Sequence, residues 1–264
     1  MKYFEIQPSG AAARFIKSYW ALEDDSPSLE AQRIIPDGRP VLIFNLDQPF
    51  ESLTASAWKR QPQSFIVGQI TQPLLLRANG PAKMLGINFH PHGASHVLGM
   101  PFNELTDSAI ALDDISIKLH RRLKRLGESS QMDGLAAMDA AMNEIILGDR
   151  HEVDFLVSAA VSMFEHSSGL VNVANVARML GVSSRHLQRR FLETVGISPK
   201  LFSRMQRFQR VFQAMERLNW VNTAIDCGYY DQAHLIKDFQ EFAGKAPTAL
   251  MNEEIVLMRR FIKG

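Results

Sequence analysis

Two sets of side chains in this sequence are spaced so that they could do chemistry. His90, His92 and His96 lie within NFHPHGASH. Imidazoles two residues apart on a strand point to one face, where with a distant carboxylate they could hold a metal for a cupin-like, metal-dependent enzyme. Pro91 and Gly93 break the strand at that point, and no glutamate follows to complete a ligand set. A loop between a strand and a helix accounts for all three histidines, with no metal, no cofactor and no catalytic residue. The second set is arginine with glutamine: Arg185, Gln188 and Arg189 fall within SRHLQRRF, away from Leu187 and Phe191, whose i, i+4 spacing turns them inward on a helix. Side chains of these types reach guanine and adenine edges in the major groove of double-stranded DNA. The sequence has no phosphate-cradling glycine loop and no nucleophile elbow. Its one cysteine, Cys227, excludes an internal disulfide and reads as a small core residue.

Arginines that read bases need a helix held rigidly by a neighbour, and residues 172–191, NVANVARMLGVSSRHLQRRF, supply both. Ala174, Ala177 and Leu180 at i, i+3, i+6 predict the buried face of a first helix. Gly181 then stands where a left-handed C-terminal cap sits, Val182 can tuck beneath the turn, and Ser183 can cap the second helix. Residues 223–239, TAIDCGYYDQAHLIKDF, repeat the layout: Gly228 breaks the pattern, Asp231 is placed to start a helix, and Leu235 and Phe239 are again i, i+4. Lys237 takes the place of Arg189. Between the copies, Pro199 opens a segment whose Phe202, Met205, Phe208, Phe212 and Met215 form one inner stripe, so a single long helix joins two similar modules.

The strings L-x-R-x-F (Leu187, Arg189, Phe191), G-x-S-P (Gly196 to Pro199), A-x-x-x-G-Y-x-D-Q-x-H-x-x-x-x-F (Ala224, Gly228, Tyr229, Asp231, Gln232, His234, Phe239) and G-x-x-P (Gly244, Pro247) resemble the DNA-binding domain of AraC/XylS-type transcription regulators over residues 155–250. The resemblance implies two recognition helices in successive major grooves, about one helical turn or ~34 Å apart. Arg185, His186, Gln188 and Arg189 would face DNA in the first, and Gln232, Ala233, His234 and Lys237 in the second. Arg190 and Arg204 are expected at phosphates. Ala233 offers a base only apolar contact, so the second unit should specify less. The resemblance further implies activation more often than repression, RNA polymerase as a partner, and either monomeric or homodimeric binding.

The rest of the chain fits a regulator of this kind. The formal net charge of +1 over 264 residues conceals a division: residues 1–150 sum to −2 and residues 151–264 to +3, and residues 178–217 hold nine basic against two acidic side chains. A local positive field of that kind suits phosphate neutralisation. Hydrophobic residues make up 46%, with no apolar run of membrane-spanning length and no secretory leader pattern, which together imply a cytoplasmic protein and no membrane partner.

Short apolar runs (RIIPDG, PVLIFNL, SFIVGQI, LLLRA, MLGINF) punctuated by turn residues predict an antiparallel β-sandwich or small barrel in the first hundred residues, with Asp37 and Gly38 in a turn. Segments 33–48 and 65–100 resemble the cupin-like N-terminal domain of one branch of the same family. This implies sensing of a small-molecule effector, dimerisation or both, and names no effector-binding residue. Trp20, Phe44, Phe65 and Phe89 would line or fill such a pocket. Residues 11–22 read as a short helix or strand, and 117–126 as a basic amphipathic helix. Residues 132–147 read as a helix whose Leu135, Met138, Met142 and Ile145 form either core or a dimer interface. The expected fold is therefore an α+β multidomain protein. It comprises a β-rich, cupin-like sensing domain over 1–105, a helical linker or dimerisation segment over 106–150, a hinge at 148–153, and an all-α double helix-turn-helix domain over 151–264.

Overall fold

A computed structural model describes residues 1–27, 29–54, 57–116, 119, 131–148, 153–215, 224–229 and 231–251. The chain opens with β1 (Lys2–Ile6), a 3-10 turn (Gly10–Arg14), β2 (Ile16–Asp24), β3 (Gln32–Ile34), β4 (Val41–Asn45), β5 (Glu51–Thr54) and β6 (Ala57–Arg60). It continues through β7 (Ser64–Val67), β8 (Leu74–Arg77), β9 (Ala82–Phe89), α1 (Gly93–Leu98), β10 (Ala109–Ala111), α2 (Leu112–Ile115) and α3 (Gln131–Gly148). The remainder is helical: α4 (Phe155–His166), α5 (Val173–Met179), α6 (Ser184–Val195), α7 (Pro199–Ala214), α8 (Gln232–Ala243) and α9 (Pro247–Met251). Among the described residues, no helix is long and apolar enough to cross a membrane.

The strands form two antiparallel sheets, one ordered β1-β2-β9-β4-β7-β10 and the other β3-β8-β5-β6. Trp20, Leu22, Phe50, Ala82 and Met84 pack between them. The opposite face of the larger sheet carries Tyr19, Ala21, Leu42, Phe44 and Phe89, which pack against α3. Because that sheet is covered on both sides, β2 is buried continuously from Ser18 to Leu22 instead of alternating. This is why residues 11–22 read equally as helix or strand: the period-2 signal is erased by double burial.

Helix α3 decides between the two readings of its methionine stripe. Leu135, Met138 and Met142 are fully buried against the chain's own β-domain, so the methionine stripe is core and is not free to serve as a dimer face. Ser9 and Ala12 of the 3-10 turn clasp the same helix, the Ser9 amide donating to Asp139 at 3.0 Å and the Ala12 amide to Asn143 at 3.0 Å. The division at residue 105 also falls short, because β10 pairs with β7 and extends the larger sheet to Ala111. The helix expected over 117–126 and most of the hinge at 148–153 lie outside the described residues.

One close approach fixes the inter-sheet layer. Trp20 on β2 sits directly across from Gly86 on β9, and its indole occupies the space that a Cβ on residue 86 would need. The indole N–H then donates to Asn88 Oδ1 at 3.1 Å. Gly86→Ala must push the ring aside in a packed layer, and we expect a loss of about 1–3 kcal/mol in denaturant unfolding, the usual cost of overpacking.

Candidate nucleic-acid interface

The first reading unit is built by caps. Asn172 accepts from the Asn175 amide at 2.8 Å to start α5, and Ser183 accepts from the His186 amide at 3.2 Å to start α6. Between them Gly181 takes φ +70°, and the Val182 amide returns to the Ala177 carbonyl at 3.0 Å, so the chain reverses within four residues. The inner face of α5 is Val176 and Ala177, with Val173 and Leu180 half-buried; Ala174, expected inside, is exposed. Leu187, Phe191 and Val195 anchor α6. Phe164, Phe191 and Phe202 pack ring to ring at 5.5–6.3 Å between centroids and join α4, α6 and α7.

The second unit hangs on the far end of α7, where Phe208 packs against Phe239 at 4.9 Å and Phe242 at 5.2 Å. Asp231 caps α8 by accepting from the His234 amide at 2.7 Å. A polar network ties α7 to α8: the Arg204 guanidinium meets Asp238 at 2.6 Å and Glu241 at 2.7 Å, and the Tyr229 hydroxyl donates to Asp238 at 3.0 Å. The Asp238 side chain is only 1% exposed. Burial and the Asp238 charge push the Tyr229 phenol up, and the two carboxylates raise Arg204 further.

Arg185, His186, Gln188 and Arg189 are exposed together along α6, and Gln232, Ala233 and Lys237 along α8; His234 is half-buried against the Tyr229 ring. Arg189 rests on Glu193 at 3.3 Å, both largely exposed. An i, i+4 pair of that kind contributes about 0.3–0.5 kcal/mol, so Glu193 holds Arg189 only weakly. The two arginines expected at phosphates are placed differently. Arg190 pairs with Asp154, the N-cap of α4, at 2.8 Å, and Arg204 is held in the α7–α8 network. Both have carboxylate partners that sequence reasoning did not supply, since Asp154 and Asp238 lie 36 and 34 residues from their arginines.

The β-domain grips this reader directly. The Phe102 amide donates to the Glu193 carbonyl at 2.7 Å and the Thr106 hydroxyl to the Gly196 carbonyl at 2.5 Å, both at the end of α6. Ile35 is 3% exposed within the core of the helical domain, Gly38 lies against Phe202, and the Gln209 side chain donates to the Pro36 carbonyl. The sequence signalled this segment only as Pro-Asp-Gly turn chemistry. The three histidines take up packing positions beside the same junction: His90 and His92 stack at 6.0 Å, and His96 stacks on Phe15 at 4.1 Å. Among the described residues no group of three His, Cys, Asp or Glu is arranged to hold a metal.

Helices α5 and α6 with their caps define one helix-turn-helix unit, and α8 carries the second exposed polar face; most of the segment that precedes Gly228 lies outside the described residues. Residues 176–253 match the family described as a helix-turn-helix domain, and residues 4–111 match a domain of unknown function, DUF6597. The chain carries a helix-turn-helix domain at its C-terminus, preceded by an antiparallel β-domain. Among solved structures it is similar to ToxT from Vibrio cholerae O395 bound to (E)-4-(8-methylnaphthalen-1-yl)but-3-enoic acid (12% identity, 89% of this chain and 98% of that chain, TM-score 0.49). It is also similar to unsaturated fatty acid-bound ToxT from Vibrio cholerae strain SCE256 (10% identity, 88% and 94%, TM-score 0.46) and to the AraC-like transcriptional activator CuxR (11% identity, 83% and 88%, TM-score 0.29). No curated protein matches it in sequence.

The polar network gives a prediction with a sign. Asp238→Ala removes one of the two carboxylates on Arg204 and strands the buried Tyr229 hydroxyl, and should cost about 1–3 kcal/mol in unfolding free energy, whereas loss of the half-exposed Glu241 should cost clearly less. Arg204 holds the Glu241 carboxyl below its ordinary range. Its share of stability is therefore present at neutral pH and lost as pH falls through that lowered value, and Glu241→Gln should flatten the acid limb. His92 gives the same sign from a different cause: burial, then the neighbouring His90, pushes its imidazole down to about 4. The unfolded chain binds the extra proton between the ordinary value and 4, so stability should decline as pH falls through that window, and His92→Leu should remove that slope.

Proposed function

We propose that the protein is a cytoplasmic, sequence-specific transcription regulator that lays α6 and α8 in successive major grooves and is modulated by a small molecule held in the β-domain. The observation that carries this reading is the joint exposure of Arg185, His186, Gln188 and Arg189 on one capped helix and of Gln232, Ala233 and Lys237 on its counterpart, the two held apart by α7. His234 completes the second reading face. Arg190 and Arg204 serve the frame that aims these faces, through Asp154 and Asp238. Contact with RNA polymerase and homodimerisation on DNA belong to the same proposal, with activation as the expected sign. A metal-dependent cupin-like enzyme is disfavoured by the histidines, whose rings stack on one another and on Phe15.

Selection of the full-length protein against random double-stranded DNA tests the reading. A bipartite site with centres about one helical turn apart, and affinity that falls steeply with salt, is the expected result; binding without sequence preference would sink it. On the selected site, Arg189→Ala should cost about 1–3 kcal/mol and relax preference at one base. Arg190→Ala should lower thermal stability but leave the slope of log affinity against log salt unchanged, since a phosphate contact would reduce that slope by about one.

A further inference from the structure

Helices α6 and α8 end in the same way. Each stops at a glycine in the left-handed region, Gly196 at φ +95° and Gly244 at φ +69°, and each glycine lies seven residues beyond the long basic side chain of its exposed face, Arg189 or Lys237. Both ends are seated on the β-domain. A Cβ on residue 196 would meet the Phe102 carbonyl at 2.8 Å and the Thr106 hydroxyl at 3.3 Å, and a Cβ on residue 244 would meet the Arg33 guanidinium at 3.0 Å and the Pro73 ring at 3.2 Å. The chemistry of the seats suits what they hold. The last carbonyls of a helix have no partner within it and carry the negative end of its dipole. At the end of α6 stand two donors, the Phe102 amide on the Glu193 carbonyl and the Thr106 hydroxyl on the Gly196 carbonyl; at the end of α8 stands a cation, Arg33.

The seats are themselves firmly held. Phe102 and Leu105 are buried in the β-domain core, and Asp107 accepts from both the amide and the hydroxyl of Thr71 at 2.6 Å, which pins the loop between α1 and β10. Arg33 lies on β3 opposite Leu75, and Pro73 leads into β8, so the second seat is part of the smaller sheet.

Resting on the reading of α6 and α8 as DNA-reading helices, we propose that Thr106 and Arg33 are positioning residues that fix the tilt of the two helices relative to each other, so that the β-domain takes part in selecting the spacing between half-sites on DNA. The base-facing side chains lie in the N-terminal halves of α6 and α8, the part of a recognition helix that enters the groove, and they are exposed while the C-terminal ends are held. The seats therefore grip the ends that stay outside the groove and leave the reading faces open. Each helix has 12 residues. At about 18 Å of length, a swing of ~10° about the seated end displaces the reading end by ~3 Å, close to the ~3.4 Å rise of one base pair. A little freedom at one seat is enough to blur the count of base pairs between half-sites.

The test pairs binding with a measurement that needs no DNA. One or two base pairs are inserted between the half-sites of the DNA selected by the full-length protein. Each insertion should cost the unsubstituted protein about tenfold in affinity. Thr106→Val, and Arg33→Met, which keeps the apolar stem, should each reduce that cost to about threefold and leave base preference within each half-site unchanged. Thr106→Ser, which keeps the hydroxyl, should retain the full cost, whereas a residue that only stabilised the fold would weaken binding at every spacing alike. Without DNA, pulsed electron-spin distances between labels at Gln188→Cys and Gln232→Cys should be narrowly distributed in the otherwise unsubstituted protein and in Thr106→Ser, and broader in Thr106→Val and in Arg33→Met; Cys227 is buried, out of reach of the label. Spacing discrimination or a distance distribution unchanged in either variant, Thr106→Ser behaving as Thr106→Val, or tighter binding of the selected DNA by a variant, which would make the seats restraints against DNA, would each overturn the proposal. Any of these with sequence-specific binding retained removes this inference alone. Broadened distances in a protein that shows no sequence preference on DNA keep the two seats as what fixes the helix tilt and remove the regulator reading.

Discussion

Both helix pairs that carry the proposed reading faces depend on the burial of one stripe of α7. Phe202 and Met205 fill the first reading unit and Phe208 and Phe212 the second, and all four are inside the helical core. A helix rises about 1.5 Å per residue, so the position of each aromatic along α7 sets how far apart the two reading faces stand. The stripe is thus a ruler as well as a core. Its rings meet neighbours edge-on or tilted, pairs worth about 0.5–1.5 kcal/mol beyond their burial.

Charge is arranged in two tiers on this frame. Buried or half-buried arginines, Arg190 and Arg204, are neutralised by Asp154 and Asp238 and hold helices together. Exposed ones are unpaired or weakly paired, as Arg189 is with Glu193. The positive excess counted over residues 178–217 therefore overstates the field offered to a phosphate backbone, because part of it is spent internally. On α6 the outward arginines, Arg185 and Arg189, lie opposite Leu187 and Phe191, whose burial leaves them no inward option.

The helical half was legible in the sequence because its signals are local. Ser183, Ser198, Asp231 and the glycine at 181 each act within four residues, and the phenylalanine spacing of α7 repeats within one helix. The β-half was legible only as a class. Strand β2 is buried on both faces and shows no alternation, and one of its two pairing partners, β9, is remote in sequence. What the sequence could not reveal at all were long-range polar partners: Asp154 for Arg190, Asp238 for Arg204, and the Pro36 carbonyl for Gln209. Each joins segments whose proximity exists only after folding, and that is why the sequence showed no carboxylate partner for Arg190 or Arg204. The methionine stripe of α3 failed for a related reason: an apolar helical face does not say whether its cover comes from the same chain or another.

Ile35 belongs by sequence to the β-domain and by packing to the helical one. The reading half is therefore not self-sufficient: cut away from its neighbour it would keep every cap and every base-facing arginine, yet carry a vacant socket in its core. Such a fragment is a lock without its bolt, apt to accept the same residue from another molecule's β-domain, and intermolecular exchange of that one side chain would turn a contact within one chain into a route to assembly.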